Sequence, residues 1–554
     1  MVSVLCRAIS FTLLSASCVS ALAQDNPLII ETSYGKILGT EQQGVEYWTG
    51  IPYAQAPVAQ LRWQPPETPK KWTDIRDTTQ PAADCIQVTA DGTKGQEDCL
   101  NLNVYRPQTS DRQLPVLFYI HGGNNQVGTS TEFNPQHLAT TLNAVIVTAN
   151  YRLGALGFNP LSALNTGDAR QDSGNFTLLD IKSALDWVKQ NASAFGGDAN
   201  NITVSGFSAG GRDVMAMLIS PLFASSFQKA IVFSGGMTTS DKNEAEKIFA
   251  RRFAEQVVKD GIKPTVQQAE AWLLAGGDEV KQYLYHLPAA QLASFFGDAG
   301  IRMAKFPHLY RDGTVLPESG FDTLKYNAVP VLMFSGQSEF SFFALGDPYF
   351  QAAFKQGTLA QDTELLNKYA FANKYGSLLY SLFNVNQSAE KMYPHYPAPI
   401  YGAEFRFGMD AFVTGSRMAP IGSFHGVFMP FWDPVKYEVF TADAIKLAGA
   451  KKLGEQFNGY IRQFIRTGNP DVPGQPAWKA WTPENVAAGE SILELDASKQ
   501  KALISMRSKS YNVDDVIRAI EQDHSITPDA KKEMLSSVLK GRWFSEKLDA
   551  HFAH

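Results

Sequence analysis

Short, continuous apolar runs recur along the chain and alternate with stretches of helical periodicity. Each run is short and rich in bulky apolar residues, as expected for a strand buried on both faces. The runs span residues 114–120, 144–149, 202–205, 229–234 and 329–334. Strands separated by helices favour a parallel sheet with helices on both faces. The pattern therefore predicts an α/β fold built on a mainly parallel central sheet.

One stretch between the second and third runs has clear helical periodicity. Leu178, Ile181, Leu185 and Val188 recur at spacings of three and four residues, which places them on one face of a helix. This helix is expected to cover one face of the sheet.

Two longer regions complete the domain. Residues 240–325 have a mostly helical, less regular pattern, and we interpret them as an insertion over the sheet rather than a separate domain. The tail, from about residue 514 to 552, predicts two or three helices, with Thr527-Pro528 opening one of them. Because no internal repeat or low-complexity linker interrupts the chain, residues 24–554 are predicted to form a single domain with a helical C-terminal tail.

The first 23 residues have the pattern of a secretory signal peptide. An apolar stretch, I-S-F-T-L-L, leads to Ala21-Leu22-Ala23, an A-x-A cleavage site before Gln24. A buried first helix is an alternative, and so is a lipid-anchored Cys18, although the usual preceding Leu is missing. We predict an exported protein, secreted or periplasmic.

Composition and charge limit the class of protein. The 554 residues are 44% hydrophobic and 19% charged, which is ordinary for a globular protein with a large core. The formal net charge is −6, and it becomes −7 once Arg7 leaves with the signal. No basic stripe is visible, so nucleic acid is not expected as a partner. Outside the N-terminus no run of 18 apolar residues occurs, so no membrane span is predicted.

Cysteine usage fits an exported protein. Of the four cysteines, Cys6 and Cys18 lie in the predicted signal, which leaves Cys85 and Cys99. Two cysteines 14 positions apart in an exported chain predict one short disulfide loop. No His or further Cys stands nearby at ligand spacing, so no metal site is expected.

The pentapeptide Gly206-Phe207-Ser208-Ala209-Gly210 lies between a predicted strand and a predicted helix. A serine nucleophile must stand clear of the sheet, where a base and a carbonyl carbon can both reach it. A sharp strand-to-helix turn achieves this, and its crowding requires glycine on either side. An ordinary Gly-rich turn also fits G-x-S-x-G, but the strand before and the helix after favour a nucleophile at Ser208.

A second glycine motif, His121-Gly122-Gly123, directly follows the apolar run 114–120. Two glycines there allow backbone N–H groups to point at the negative oxygen of a tetrahedral intermediate. We expect Gly122, Gly123 and Ala209 to donate these hydrogen bonds. The alternative is a tight turn without a chemical role.

Longer strings resemble the type-B carboxylesterase and cholinesterase family of α/β-hydrolases over nearly the whole mature chain. They are G-I-P-Y-A at 50–54, L-R-W at 61–63, E-D-C-L-N-L-N-V-Y at 97–105, N-Y-R-L-G at 150–154 and F-G-G-D at 195–198. The E-D-C-L-N-L-N-V-Y string is highly specific, and its Cys is disulfide-bonded in the family, which supports Cys85–Cys99. The resemblance implies an α/β-hydrolase fold with helical insertions over the active site, and no metal or organic cofactor.

The family arranges its triad in the order Ser, Glu, His, and two segments of this chain fit that order. Glu339 occupies the acid position, although its usual neighbours Asp and Gly are replaced by Ser338 and Phe340. His425, in F-H-G-V-F-M-P-F, has the His-Gly and nearby Pro expected of the base. The resemblance also implies a supporting hydrogen bond from Ser234, after the next strand.

Two family acids are replaced by aromatic residues. The residue before the nucleophile is Phe207, and the third residue after the predicted base is Phe428. In the family these two acids share a polar network behind the triad. Removing one leaves the other buried and unpaired, which is costly, whereas replacing both can be nearly neutral. We therefore hypothesise that the two rings pack against each other beneath the site.

A further departure lies in the second glycine motif. The third glycine often found after His-Gly-Gly is here Asn124, followed by Asn125, a change that bears on the shape of the acyl pocket.

The sequence thus predicts an exported serine carboxyl-ester hydrolase. With the two acids absent, we expect small uncharged esters, aromatic or short-acyl, rather than choline-type cations. A catalytically silent binding protein on the same fold is one alternative, although the intact Ser208, Glu339 and His425 favour activity. A lipase is another, and it would need a lid with an apolar face, which residues 240–325 could supply.

Overall fold

An eleven-stranded sheet forms the centre of the computed structural model, which describes residues 26–297 and 301–553. The predicted signal peptide, residues 1–23, lies outside the described residues. The strands are β1 (Ile29–Thr32), β2 (Gly35–Leu38), β3 (Thr40–Gln42), β4 (Val45–Pro52), β5 (Arg76–Asp77), β6 (Gln87–Thr89), β7 (Gly92–Lys94), β8 (Asn101–Pro107), β9 (Leu114–Ile120), β10 (Val145–Ala149), β11 (Gly197–Phe207), β12 (Lys229–Phe233), β13 (Ser240–Asp241), β14 (Tyr310–Arg311), β15 (Val331–Gly336), β16 (Ile400–Phe405), β17 (Ile492–Ala497) and β18 (Ala502–Arg507).

Helices flank this sheet. They are α1 (Gln136–Leu142), α2 (Gly154–Gly157), α3 (Phe176–Asn191), α4 (Ala209–Ile219), α5 (Lys242–Lys259), α6 (Val266–Ala275), α7 (Asp278–His286), α8 (Ala289–Ser294), α9 (Ser341–Leu345), α10 (Pro348–Lys355), α11 (Thr363–Ser381), α12 (Ser388–Met392), α13 (Ala411–Met418), α14 (Glu438–Thr441), α15 (Ala448–Thr467), α16 (Pro483–Ala487), α17 (Val513–Gln522), α18 (Pro528–Glu533) and α19 (Glu546–His551). Within residues 26–297 and 301–553, none of the helices combines the length and the apolar character that crossing a membrane requires.

The order of the sheet is β18-β17-β16-β15-β12-β11-β9-β10-β8-β4-β3. The six neighbouring pairs from β17 to β10 are parallel, and the four pairs at the two ends are antiparallel. All five predicted apolar runs coincide with parallel strands, namely β9, β10, β11, β12 and β15. The prediction of a mainly parallel α/β sheet is therefore confirmed.

Strand β9 shows why these runs are continuous rather than alternating. All seven of its residues are buried. Val116 and Phe118 belong to the core on one face of the sheet, and Leu117 and Tyr119 belong to the core on the other. Because helices cover both faces, neither set of alternate positions tolerates a polar side chain.

The predicted amphipathic helix is α3. Its four apolar residues Leu178, Ile181, Leu185 and Val188 are at most 2% exposed and join the same core as Val204 of β11. Burial of side chains of this size contributes roughly 1.5–3 kcal/mol each.

The region 240–325 is helical only in its first part. Helices α5 to α8 occupy it as far as Ser294, and Phe249 and Phe253 of α5 join the core that contains Val204. Residues 301–325 are mainly irregular, contrary to the mostly helical prediction. Gly313 and Gly320 adopt positive φ angles of 79° and 54° there, which a helix does not accommodate.

The C-terminal tail contains the three helices α17, α18 and α19. The Thr527 hydroxyl accepts a 3.2 Å hydrogen bond from the Ala530 N–H and so caps α18, whose first residue is Pro528. The segment before α19 places Trp543 and Phe544 against the core, where Phe544 stacks on Tyr380 at 4.8 Å between ring centroids.

Cys85 and Cys99 form a disulfide, as predicted. The loop that they close contains the hairpin of β6 and β7. Gln87 of this hairpin makes two hydrogen bonds with the backbone of Gly128: its Nε2 donates to the carbonyl at 2.8 Å, and its Oε1 accepts from the N–H at 2.9 Å. The disulfide loop is thereby fastened to the segment that follows His121-Gly122-Gly123.

Replacing both cysteines with serine is expected to lower the free energy of unfolding by about 3 kcal/mol, because the unfolded chain regains the entropy of an open loop. Urea unfolding of the wild type and of Cys85→Ser/Cys99→Ser measures the difference. A reductant should bring the wild type to the value of the variant and leave the variant unchanged. Equal unfolding midpoints without reductant would show that this cross-link adds nothing.

Candidate active site

The pentapeptide around Ser208 forms a sharp turn between β11 and α4. Ser208 has φ 56° and ψ −114°, a strained conformation for a residue with a side chain. A Cβ atom on Gly206 would lie 2.2 Å from the Gly210 carbonyl oxygen, and one on Gly210 would lie 2.1 Å from the Ile120 carbonyl oxygen. Glycine at both positions is therefore required by the close approach of the backbone, as the sequence predicts.

Glu339 and His425 are in direct contact. The Nδ1 atom of His425 lies 2.5 Å from Oε2 of Glu339, and the carboxylate itself is fully buried. With the proton on Nδ1 donated to the carboxylate, Nε2 of the imidazole is left as an acceptor. Among the described residues nothing hydrogen-bonds to this Nε2. His425 and Ser208 line the same cavity, each about 8% exposed.

Three further donors hold the second oxygen of Glu339. Its Oε1 accepts from the Ser234 hydroxyl at 2.5 Å, from the Ser335 hydroxyl at 3.1 Å and from the Gly336 N–H at 2.5 Å. Ser234 follows β12, and the other two residues end β15. The hydrogen bond predicted for Ser234 is thus present, and neighbouring strands fix the position of the carboxylate.

The predicted oxyanion donors surround Ser208. A Cβ atom on Gly122 would lie 3.2 Å from Cβ of Ser208, so the two backbones are close neighbours. Gly123 has φ 101°, and a Cβ atom there would lie 2.0 Å from the Val127 carbonyl oxygen. Ala209 is the first residue of α4, so its N–H has no acceptor within the helix. The geometry brings together Gly122, Gly123 and Ala209.

Aromatic rings stand where the resemblance led us to expect two acids. Phe207 and Phe428 are in edge-to-face contact at 5.3 Å between centroids, which confirms the hypothesis that they pack together. The Phe207 ring also lies 4.7 Å from the His425 imidazole, and Phe343 lies 4.8 Å from it. Tyr380 stacks beneath the same imidazole at 5.7 Å.

The cavity at Ser208 has a volume of about 420 Å³, within the range of small-molecule sites. Its lining includes the apolar side chains Val88, Val127, Phe207, Ile301, Phe343 and Tyr437. Among the lining residues that the structure describes, Glu132 is the acidic one and none is Lys or Arg.

Glu132 was not singled out from the sequence, where it is one acid in a polar loop. Its Oε2 accepts a hydrogen bond from the Tyr119 hydroxyl at 2.8 Å and a long one from the Gly122 N–H at 3.4 Å. Burial raises the pKa of its carboxyl, and Tyr119 and Lys436 offset part of that rise. The neutral carboxylic acid is therefore more accessible here than at an exposed glutamate.

Five other histidines, His121, His137, His286, His308 and His395, are not among the described residues that line the cavity at Ser208. His121 stacks on Tyr151 at 4.2 Å, and burial lowers its pKa to about 4, so it packs as a neutral ring. His308 is buried against Arg212, while His137, His286 and His395 are exposed. Within the described residues, no group of three or more His, Cys, Asp or Glu side chains is arranged to hold a metal ion.

Two buried charged residues, Arg212 and Asp213, lie on α4 directly behind the His121-Gly122-Gly123 segment. Both are fully buried in an otherwise apolar helix. Burial raises the pKa of Asp213 to about 7, although a hydrogen bond from Asn125 and the charge of Arg212 hold it down in part. The sequence signal for this pair is two adjacent charges in a segment that is otherwise apolar.

Known proteins that are similar to this chain are esterases. The sequence pattern of the Carboxylesterase family matches residues 26–396. Liver carboxylesterase 1 from Oryctolagus cuniculus is 28% identical over 548 residues, which cover 88% of this chain and 93% of that protein. Para-nitrobenzyl esterase from Bacillus subtilis (strain 168) is 43% identical over 226 residues, but the match spans only 45% of that protein and 39% of this chain.

The structural likeness also extends over most of the chain. A solved structure described as PNB esterase superposes with a TM-score of 0.67 and 27% sequence identity, covering 87% of this chain and 98% of that one. Together with the mainly parallel sheet and the elbow at Ser208, this identifies the fold as that of the α/β-hydrolases.

Asp213→Asn is expected to remove a pH dependence of stability. The carboxyl titrates near 3.8 when unfolded and near 7 when folded, so the folded protein binds this proton more tightly. The resulting stabilisation is complete below the lower value and is lost as the pH rises through the higher one. From about pH 5 to about pH 8 the variant should gain about 2–3 kcal/mol relative to the wild type.

Chemical unfolding at several pH values measures this difference, with the surface variant Asp443→Asn as the control for the substitution itself. The raised pKa of Asp213 would be refuted if the difference in unfolding free energy between the wild type and Asp213→Asn stayed constant across this pH range.

Proposed function

The chain is an enzyme of the carboxylesterase family, and we propose that it is an exported serine esterase that hydrolyses small uncharged esters through an acyl-enzyme on Ser208. The observation that carries this proposal is the pairing of Glu339 with Nδ1 of His425, which leaves Nε2 as a base in the cavity that Ser208 lines.

In the proposed first step, the Ser208 hydroxyl attacks the ester carbonyl carbon while Nε2 of His425 takes its proton. Glu339 holds the imidazole tautomer and stabilises the imidazolium that forms. The four donors to the Glu339 carboxylate hold it in place during this step. His425 then returns the proton to the departing alcohol.

The tetrahedral intermediate carries its negative charge on the former carbonyl oxygen. Backbone N–H groups of Gly122, Gly123 and Ala209 are the proposed donors to it, and the Gly122 N–H would exchange its long hydrogen bond with Glu132 for one to the oxyanion. Loss of one such donor typically costs about 10²–10³ in rate. In the second step a water, deprotonated by His425, attacks the acyl carbon and releases the acid from Ser208.

The proposed preference for uncharged esters rests on the lining of the cavity. Rings occupy the two positions where the family resemblance implies acids, and the walls are largely apolar. The carboxyl group of Glu132 faces the same space, but burial favours its neutral form. A cationic substrate would leave its hydration shell without a full counter-charge, which is costly.

Export is proposed from the N-terminal pattern of residues 1–23. The Cys85–Cys99 disulfide supports it, because such cross-links persist in oxidising compartments and are rare in the cytosol.

A fluorophosphonate probe is expected to label the protein covalently on Ser208, because the base and the oxyanion donors activate that hydroxyl. Peptide mapping of the labelled protein locates the adduct, and Ser208→Ala should not react. Labelling of a different serine would overturn the assignment, and a folded wild type that does not label would favour a silent binding protein.

Glu339→Gln should lower kcat by about 10³–10⁴ with KM nearly unchanged, because the imidazole loses its fixed tautomer.

The substrate preference is tested with a matched pair of esters. A 3,3-dimethylbutyl ester has the shape of a choline ester without the charge. With the same acyl group, its kcat/KM should exceed that of the choline ester by about tenfold or more, which corresponds to about 1.4 kcal/mol. Equal values would contradict the uncharged preference and would instead indicate a cation–π contact with the rings around His425.

A further inference from the structure

The loop of the oxyanion donors continues into two consecutive asparagines with left-handed backbone. Asn124 and Asn125 both have φ 56°. Asparagine tolerates this region better than most residues, but only glycine enters it without steric cost. Something must therefore hold two consecutive residues there, next to Gly123.

Two consecutive charged residues on α4 make contact with these asparagines. Nη2 of Arg212 donates to Oδ1 of Asn124 at 2.8 Å. Nδ2 of Asn125 donates to Oδ1 of Asp213 at 2.9 Å. The two consecutive side chains on α4 therefore pair in order with the two consecutive asparagines. Arg212 donates to Asn124, and Asp213 accepts from Asn125.

Asn125 and Asn124 are each held by a further set of hydrogen bonds. The Asn125 carbonyl oxygen accepts from the Gly154 N–H at 2.7 Å, so its backbone is tied to the chain after β10. Nδ2 of Asn124 donates to Oε1 of Gln126 at 2.5 Å, and Gln126 in turn donates to the Phe296 carbonyl. Asn124 and Gln126 also line the cavity at Ser208.

Arg212 is held from its other sides. Its Nη1 donates to Nε2 of His308 at 3.1 Å, and Nδ1 of that histidine faces the Phe306 carbonyl at 2.9 Å, so His308 is a neutral acceptor. The indole of Trp543, from the C-terminal tail, covers the guanidinium at 4.2 Å. The fully buried arginine therefore has one preferred position.

We propose that Arg212 and Asp213 are positioning residues that clamp Asn124 and Asn125 in the left-handed conformation and thereby aim the Gly123 N–H at the oxyanion. This inference rests on the proposed esterase function. An apolar pair at these positions would be less costly to bury than two charges. Arg212 and Asp213 therefore stabilise one conformation of this loop. Through the loop they stabilise the transition state rather than the bound substrate.

The first test compares Asp213→Leu with Asp213→Asn. The leucine removes the acceptor of Asn125, whereas the asparagine keeps an acceptor oxygen of the same shape. Asp213→Leu should lower kcat by about 10- to 100-fold, since a displacement of about 1 Å in a reacting site costs up to about 10², with KM within about twofold. Asp213→Asn should keep kcat within about threefold of the wild type.

A second pair of variants covers the case in which Asp213→Leu does not fold. Asn125→Ala lacks the donor and resists a positive φ, whereas Asn125→Gly lacks the donor but adopts a positive φ freely. The clamp predicts a kcat loss for the alanine and little loss for the glycine. Likewise, Arg212→Met should lower kcat, and the added substitution Asn124→Gly should restore most of it.

The decisive readout separates transition-state binding from ground-state binding. A trifluoromethyl ketone forms an oxyanionic adduct with the serine, so its inhibition constant should rise in parallel with the kcat loss. The inhibition constant of the product acid should not change. Glu46→Gln, which weakens the largely buried Arg106–Glu46 ion pair between β8 and β4, is the control: it should lower thermal stability and leave both inhibition constants unchanged.

The outcomes distinguish the two proposals. A wild type without esterase activity or fluorophosphonate labelling would sink the proposed function itself. An active wild type whose Asp213→Leu and Asn125→Ala variants are folded and retain both kcat and ketone affinity would overturn the clamp alone. A matching loss in ketone and product-acid affinity would also overturn it, because that result indicates a general disruption of the cavity.

Discussion

The backbone at Ser208 is the constraint around which the other parts of the site are arranged. Its φ of 56° and ψ of −114° are unfavourable and persist only because both neighbouring backbones fix them: the Ser208 N–H donates to the Phe233 carbonyl at 2.9 Å, and the Ser208 carbonyl accepts from the Arg212 N–H at 3.0 Å. The turn brings backbones together so closely that Gly206 and Gly210 have no space for a side chain. The parallel strands on either side then deliver the remaining groups to the same edge of the sheet, since residues at the carboxyl ends of parallel strands converge there.

Short sequence patterns were sufficient to predict those parts of the structure that depend on residues close together in the chain. The strands were predictable because burial on both faces makes them continuous apolar runs, as in Leu114–Ile120. The elbow was predictable because only glycine fits two residues before and two residues after Ser208. For Glu339 and His425, by contrast, the sequence offered resemblance to a family rather than a physical pattern, because their pairing joins segments that are distant along the chain. The irregular path of residues 301–325 was missed because helical composition there is overridden by glycines with positive φ.

The rings behind the proposed triad illustrate how apolar packing can take the place of the polar network that the family resemblance implies. Phe207 and Phe428 contact each other, and Phe428 also stacks on Phe233 at 4.0 Å, so the space of two acids is filled by rings that need no hydrogen-bond partner. Within the described residues the imidazole of His425 hydrogen-bonds to Glu339, and the rings of Phe207, Phe343 and Tyr380 pack around it. Orientation of the base is thus divided between one hydrogen bond and the shape of its surroundings.

The charged residues that the apolar helix α4 does contain lie on the side of the oxyanion loop. Asn124 stands where the family resemblance implies a glycine, and Asn125 follows it with the same positive φ. Hydrogen bonds from buried partners can hold both residues in this conformation only if those partners are themselves fixed. Arg212 meets that condition through His308 and through Trp543 of the C-terminal tail. The tail ends far along the chain from the elbow, yet it packs against the guanidinium that contacts Asn124 at 2.8 Å. The C-terminal tail, for which no chemical role was predicted, therefore helps to hold residues 122–125 in place. Sequence motifs could not reveal this, because the tail acts through the buried Arg212 rather than by direct contact with those residues.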